Sequence, residues 1–264
     1  MEIRDSHCHA TPRWGEPVET LLGEMNRNGV STAVLMQSSG EDDSTYMMEC
    51  KHRFPGRFSL VVRVLTERAD ATEQLERKVK EGAEGLRLTH TTRSPGKDPL
   101  AIWHKAAELG IPVSVSGSLA GFGSPEFEGV VKELGNLTIV MEHLGHSGGG
   151  GPDRTGPPYE PFRKVVELAK YKNVFMKVPG FGEFANVARP FRNFPFDSVP
   201  PLIEMAIDAF GARRLMWGSD FPPSAGREGY RNALRFPMEH VRFKSADDKE
   251  WVFGKTASTL WRFE

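Results

Sequence analysis

The sequence predicts an α/β chain folded as one (β/α)8 (TIM) barrel, on three observations. Short apolar, strand-like runs alternate with amphipathic helical stretches eight times, the pattern of parallel strands joined by crossover helices. At 264 residues the chain has the usual size of such a barrel. The first run ends in His7-Cys8-His9, and the last, from Arg214 to Pro222, stops at Asp220. In a closed barrel the first and last strands are neighbours, and their carboxyl ends line the active site. No repeat or linker interrupts the alternation, so residues 1–264 are expected to form one domain.

The elements follow in order. Glu2 to His9 reads as the first strand; with a period of two, His7 and His9 share a face, Asp5 joins them deeper down, and Cys8 points away. A polar loop through Trp14 and Pro17 leads to a helix with Leu21, Leu22 and Met25 on one side, capped by Gly29. Thr32 to Met36 is the second strand and Tyr46 to His52 a helix, before Pro55-Gly56 breaks the chain. Phe58 to Leu65 is the third strand. The next helix carries the solvated pairs Glu73/Arg77 and Glu76/Lys80. Ala83 to Thr89 makes strand four, Leu100 to Leu109 a helix, and Pro112 to Ser116 strand five. Phe127, Val130, Val131 and Leu134 recur at helical spacing. Strand six, Thr138 to Glu142, runs into His143; a helix spans Pro161 to Tyr171, and Val174 to Val178 is strand seven. Leu202, Met205, Ala206 and Ala209 mark the inner face of the helix before strand eight. Met36, Met141, Met176 and Met216 sit inside apolar strands and read as core.

Composition excludes several classes of function. A net charge of −1 recruits neither nucleic acid nor a membrane surface. The charged amino terminus lacks a signal region, and no apolar run is long enough to span a bilayer, so a cytoplasmic chain is expected. Cys8 and Cys50 form no motif and read as buried thiols. The expected partner is a small-molecule substrate, with self-association left open. Two loops exceed what connections need: Gly145 to Pro158, glycine-rich and holding His146, and Pro179 to Pro195, with Phe181, Phe184, Phe191 and Phe194 beside Arg189 and Arg192. Both follow strand carboxyl ends and read as substrate lids.

Two imidazoles on one face at a barrel mouth can grip a metal ion or a substrate oxygen. His143 and Asp220 end two further strands, whereas His52, His90, His104 and His240 read as ordinary polar residues. Asp5-x-His7-x-His9, Gly85-Leu86-Arg87, Glu142-His143-Leu144-Gly145 and Leu215-Met216-Trp217-Gly218-Ser219-Asp220-Phe221-Pro222 together resemble the amidohydrolase-related (amidohydrolase 2) barrel hydrolases. The likeness continues through Asn173 to Lys177 and Phe253 to Ala257, and the lactonase branch (pyrone-dicarboxylate lactonase-like) is nearest in pattern.

The resemblance implies a hydrolase opening a lactone, or a related cyclic ester or amide, of a small carboxylated substrate. Asp220 would be the base that activates water, and His7, His9 and His143 would bind the carbonyl oxygen. Arg87, Arg63 and Lys177 would meet a substrate carboxylate or pair internally with Glu142 and Glu183. Metal-dependent relatives carry a histidine at the end of strand five and a lysine at the end of strand four. Here Ser116 and Arg87-Leu88 stand there, which argues against a two-metal site and leaves Ser116 to the substrate. One zinc on His7, His9 and Asp220, with an open position for water, stays as open as metal-free operation. The alternatives are a metal-dependent non-oxidative decarboxylase of the same superfamily and a non-catalytic ligand-binding barrel.

Overall fold

Eight parallel strands are hydrogen-bonded in chain order in a computed structural model of the chain, which describes residues 1–12, 15–41, 43–145, 156–184 and 199–263. They are β1 (Ile3–Cys8), β2 (Val30–Met36), β3 (Phe58–Val62), β4 (Gly85–Thr89), β5 (Val113–Ser116), β6 (Ile139–Met141), β7 (Val174–Val178) and β8 (Leu215–Trp217). The ring closes just past the end of β8: His7 O accepts from Asp220 N at 2.8 Å, and Phe221 O from His9 N at 2.7 Å. The same two bonds that complete the barrel therefore fix the backbones of the residues singled out at its mouth.

Helices α1 (Val18–Asn28), α2 (Thr45–Arg53), α3 (Ala71–Lys80) and α4 (Ala101–Glu108) follow the first four strands. The short α5 (Leu119–Phe122) and α6 (Pro125–Glu133) follow β5. Then come α7 (Glu160–Val166), α8 (Phe181–Phe184), α9 (Leu202–Phe210) and α10 (Tyr230–His240). Local chemistry sets their ends. Gly29 takes φ 72° after α1, a conformation that strains any residue with a Cβ. Ser124 caps α6 by accepting from Phe127 N, with Pro125 in the first turn. None of the described helices is long and apolar enough to cross a membrane.

Two cores result. The larger lies between strands and helices and includes Leu35, Trp103, Phe127, Val165 and Trp217. Each fully buried Leu or Val contributes about 1.5–3 kcal/mol to it. The smaller lies inside the barrel and is built from Val34, Met36, Val61, Val140, Met216, Ala257 and Trp261, which leaves the strands' carboxyl ends to the polar residues.

One expected feature of β1 is corrected. The register steps from Asp5↔Ala33 to Cys8↔Leu35, three residues of β1 against two of β2, so the strand carries a bulge. Asp5 therefore shares the outer face with Cys8 instead of the inner face with His7. Its carboxylate accepts from His7 N, from Ser219 N and from the hydroxyl of Tyr230 on α10. Burial pushes this carboxyl up to about 6, with those bonds pulling the other way. Asp5 is a rivet between β1, β8 and the helical layer.

Strand ends also move. β3 stops at Val62 and β8 at Trp217, both earlier than the apolar runs suggest. After β8, Gly218 lies so close to β1 that a Cβ there would sit 2.6 Å from His7 Cβ. The second long loop begins with the helix α8, whose Phe181 and Phe184 are buried. His146, Phe191, Phe194, Arg189 and Arg192 lie outside the described residues, as do most of the two lid segments.

Candidate active site

Strand ends deliver four side chains to one point. His7 and His9 come from the end of β1 on its inner face, His143 from the turn after β6, and Asp220 from the turn after β8. His143 and Asp220 occupy left-handed backbone conformations, φ 50° and 52°, with Leu144 at 55°. Such positions cost on the order of 1–3 kcal/mol each and persist where the surroundings enforce them. Here the enforcement is visible: Asp220 N is bound to His7 O, and Glu142 N to Val115 O.

Asp220 Oδ1 is the centre of the group. His9 Nε2 lies 3.7 Å from it, His7 Nε2 3.8 Å and His143 Nε2 4.0 Å. The outer nitrogen of each ring is held by the protein. His9 Nδ1 donates to Met36 O at 2.7 Å, His143 Nδ1 meets Glu183 Oε1 at 3.2 Å, and His7 Nδ1 meets Lys177 Nζ at 3.2 Å. These contacts aim all three Nε2 atoms inward.

The charges follow from burial and partners. Burial resists ionisation of Asp220, but His143, His9 and Arg227 hold its carboxyl well below the usual carboxylate range. Burial also opposes a charged His143, yet Glu183 and Asp220 outweigh it and raise the ring above its ordinary value. For His7, burial and the cations Lys177 and His143 act together, so this ring is neutral near pH 7. One ionised carboxylate thus faces one readily protonated imidazole and one neutral one.

The remaining predicted residues sit deeper or aside. Arg87 makes a two-pronged ion pair with Glu142, Nε–Oε1 3.0 Å and Nη2–Oε2 2.8 Å, while Nη1 donates to Gln37 O. Glu142 also accepts from Ser114 Oγ; although burial works upward, Arg87 and Lys177 bring it down to about 2. This is the internal-pair alternative for Arg87, because each guanidinium nitrogen already has an acceptor in the barrel. Lys177 is only 1% exposed, beneath His7, with Met36 Sδ and the Trp261 ring as its other neighbours. Desolvation pulls its amine down to about 7. In this arrangement Lys177 Nζ supports His7 from below. Ser116 Oγ donates to Leu88 O at 3.3 Å. Arg63 lies past β3, lining a cleft of about 150 Å³ with Gly40, Thr66 and Gln74.

Sequence reasoning missed Arg227 and Glu228 and gave Glu183 the wrong partner. Arg227 follows the turn after β8 and reaches Asp220 Oδ2 at 3.1 Å and Glu183 Oε2 at 3.3 Å. Glu228 packs its carboxyl against Gly180 and Gly182, where a Cβ would meet Glu228 Oε1 at 2.1 Å and Oε2 at 1.7 Å. The Gly-Phe-Gly spacing before Glu183 is the one trace of this in the sequence.

Does the donor set suit a metal? His7, His143 and Asp220 each offer a ligand atom within 4.8 Å of the others, so His143 takes the place expected of His9 in the trio. Among the described residues His7 Nε2 is buried without a hydrogen-bond partner. His9, donating from Nδ1 to a carbonyl, turns a lone pair toward Asp220 Oδ1 when neutral. Two acceptors facing each other call for a cation between them, either a proton or a metal ion. Nitrogen and carboxylate donors in this number suit zinc.

The amidohydrolase family profile matches residues 5–263. An L-fucono-1,5-lactonase of Burkholderia ambifaria is 31% identical over 136 residues, 48% of this chain and 42% of that protein. Matches to curated relatives thus span less than half of their length. Among solved structures, a Pseudomonas putida protein described as a candidate 2-pyrone-4,6-dicarboxylic acid hydrolase has a TM-score of 0.75 at 22% identity, covering 98% of this chain and 97% of that one. An amidohydrolase of Burkholderia multivorans with bound zinc has a TM-score of 0.77 at 19% identity, covering 98% and 99%. Both structures share the fold described above.

Proposed function

We propose, from the premise that this chain belongs to the amidohydrolase family of hydrolases, that it opens the ring of a lactone or a related cyclic ester or amide. The observation that carries this reading is one ionised carboxylate oxygen, Asp220 Oδ1, ringed by three imidazole nitrogens at 3.7–4.0 Å.

Asp220 Oδ1 takes a proton from water as that water attacks the ring carbonyl. A neutral ring donating from Nε2, as His7 does when Lys177 donates to its Nδ1, stabilises the oxyanion that develops. His143, raised in pKa and oriented by Glu183, returns a proton to the leaving alkoxide as the ring opens. The product is a hydroxy acid, and Asp220 regains its charge on losing the proton to solvent. A divalent ion, when held by His7, His143 and Asp220, supplies Lewis acidity and a more acidic water at the same place. The L-fucono-1,5-lactonase and the 2-pyrone-4,6-dicarboxylic acid hydrolase point to the two lactone types to try first.

The experiment is metal analysis of the purified protein followed by a pH-indicator assay on L-fucono-1,5-lactone and 2-pyrone-4,6-dicarboxylate, with and without chelator. The expected result is acid release with at least one lactone. Carbon dioxide released from an aromatic acid, with neither lactone turned over, would replace this reading with the decarboxylase.

A further inference from the structure

We propose that Arg227 is a positioning residue that ties down one oxygen of Asp220 and thereby selects the other as the base. The inference rests on the reading of Asp220 just given and adds a device to it.

Arg227 Nη1 binds Asp220 Oδ2 at 3.1 Å, and Nη2 binds Glu183 Oε2 at 3.3 Å. On the opposite side His143 Nδ1 meets Glu183 Oε1 at 3.2 Å, and His143 Nε2 lies 4.0 Å from Asp220 Oδ1. The four side chains form a ring of alternating charge: each carboxylate gives one oxygen to Arg227, Glu183 turns its other oxygen to His143, and Asp220 turns its other oxygen to the three imidazoles, His143 among them. A carboxylate can present either oxygen by rotating about its terminal bond, a soft torsion. A planar guanidinium with its two ends on two different carboxylates removes that freedom at both.

The backbone puts Arg227 there. Ser224 N donates to Asp220 O at 2.9 Å and Arg227 N to Ser224 O at 3.1 Å, so one tight turn links clamp and base. Glu228, the next residue, is wedged against Gly180 and Gly182 at the start of α8 and lies 3.7 Å from Arg227 Nε. The loop after β8 and the loop after β7, which carries Glu183, are thereby held in register. Nothing else among the described residues is in hydrogen-bond contact with Asp220 Oδ2. A clamp of this kind acts on the orientation of the base, so its loss should appear in turnover more than in substrate affinity.

The test compares wild type with Arg227→Ala and Arg227→Lys, using L-fucono-1,5-lactone. Misorientation of a catalytic group costs on the order of 10²-fold, so Arg227→Ala should lower kcat by about that factor with a far smaller change in KM. Lysine keeps the charge without the fork and should recover only part of the loss. The Arg227 side chain is 19% exposed, so guanidinium at low, non-denaturing concentration should reach the gap and restore activity where ammonium does not. Wild-type kcat in Arg227→Ala, or a loss that guanidinium leaves unchanged while the melting temperature falls, overturns the proposal. A second arm needs no substrate: in protein labelled with ¹⁵N-arginine, the Arg227 Nη groups should rotate slowly in wild type and average freely in Glu183→Gln. Free rotation in wild type also overturns it. Should wild type open no lactone, the assignment of the reaction fails while the NMR arm still decides the clamp.

Discussion

Replacing Asp220 by Asn lowers kcat for lactone opening by about 10²–10⁴-fold, the range that general base catalysis supplies. The amide has nearly the carboxylate's shape and can keep the left-handed backbone at φ 52°, which Asn tolerates as well as Asp. Its oxygen can still accept from Arg227. What disappears is a group that takes a proton from water. KM changes much less, because the lost interaction is made in the transition state. His143 also loses one of the anionic neighbours that raise its pKa, so the alkaline limb of the pH–rate profile, where this general acid gives up its proton, should move to lower pH in Asp220→Asn. Steady-state kinetics and a thermal melt on the same preparation check both statements. An Asp220→Asn enzyme with near-full turnover would remove this residue from the reaction.

His143→Asn gives the second large effect, with a distinctive dependence on substrate. If His143 protonates the departing alkoxide, its loss costs about 10²–10⁴-fold on an aliphatic lactone, whose leaving group is a strong base. A phenolic lactone such as dihydrocoumarin leaves without that help, so the deficit should shrink on it. A purely structural role for His143 predicts equal losses on both. Glu183 belongs to the same test: it touches His143 Nδ1 and no reacting atom, so Glu183→Gln should repeat the pattern more weakly.

Much of the fold and the site's outline could be read in the chain because they depend on local periodicity. Alternating runs set the strands, and residues ending the first and last strands must meet when a barrel closes, so His7, His9 and Asp220 could be paired across more than two hundred positions. The period failed at Asp5, where a bulge turns one residue outward, and bulges leave little mark in composition. For Arg87 and Lys177 the choice between a substrate contact and an internal pair was open for another reason. A cation in a strand faces either the mouth or the barrel interior according to its depth, and depth is set by the stagger of neighbouring strands. Glu142, at the end of β6, proved to be at the level of Arg87. The pairing of Arg227 with Glu183 was illegible because one follows the turn after β8 and the other sits in the short α8 after β7, 44 residues apart, and they meet only when β7 and β8 lie side by side.

In the proposed reaction, water activated beside Asp220 Oδ1 attacks a ring carbonyl. Hydrolysis of the lactone in ¹⁸O-labelled water, followed by mass spectrometry of the hydroxy acid after a single turnover, tests it most directly. The predicted result is one ¹⁸O in the new carboxylate and none in the released hydroxyl, formed at the wild-type rate and nearly absent with Asp220→Asn. Label in the hydroxyl, or a labelled carboxylate formed equally fast by Asp220→Asn, would contradict it.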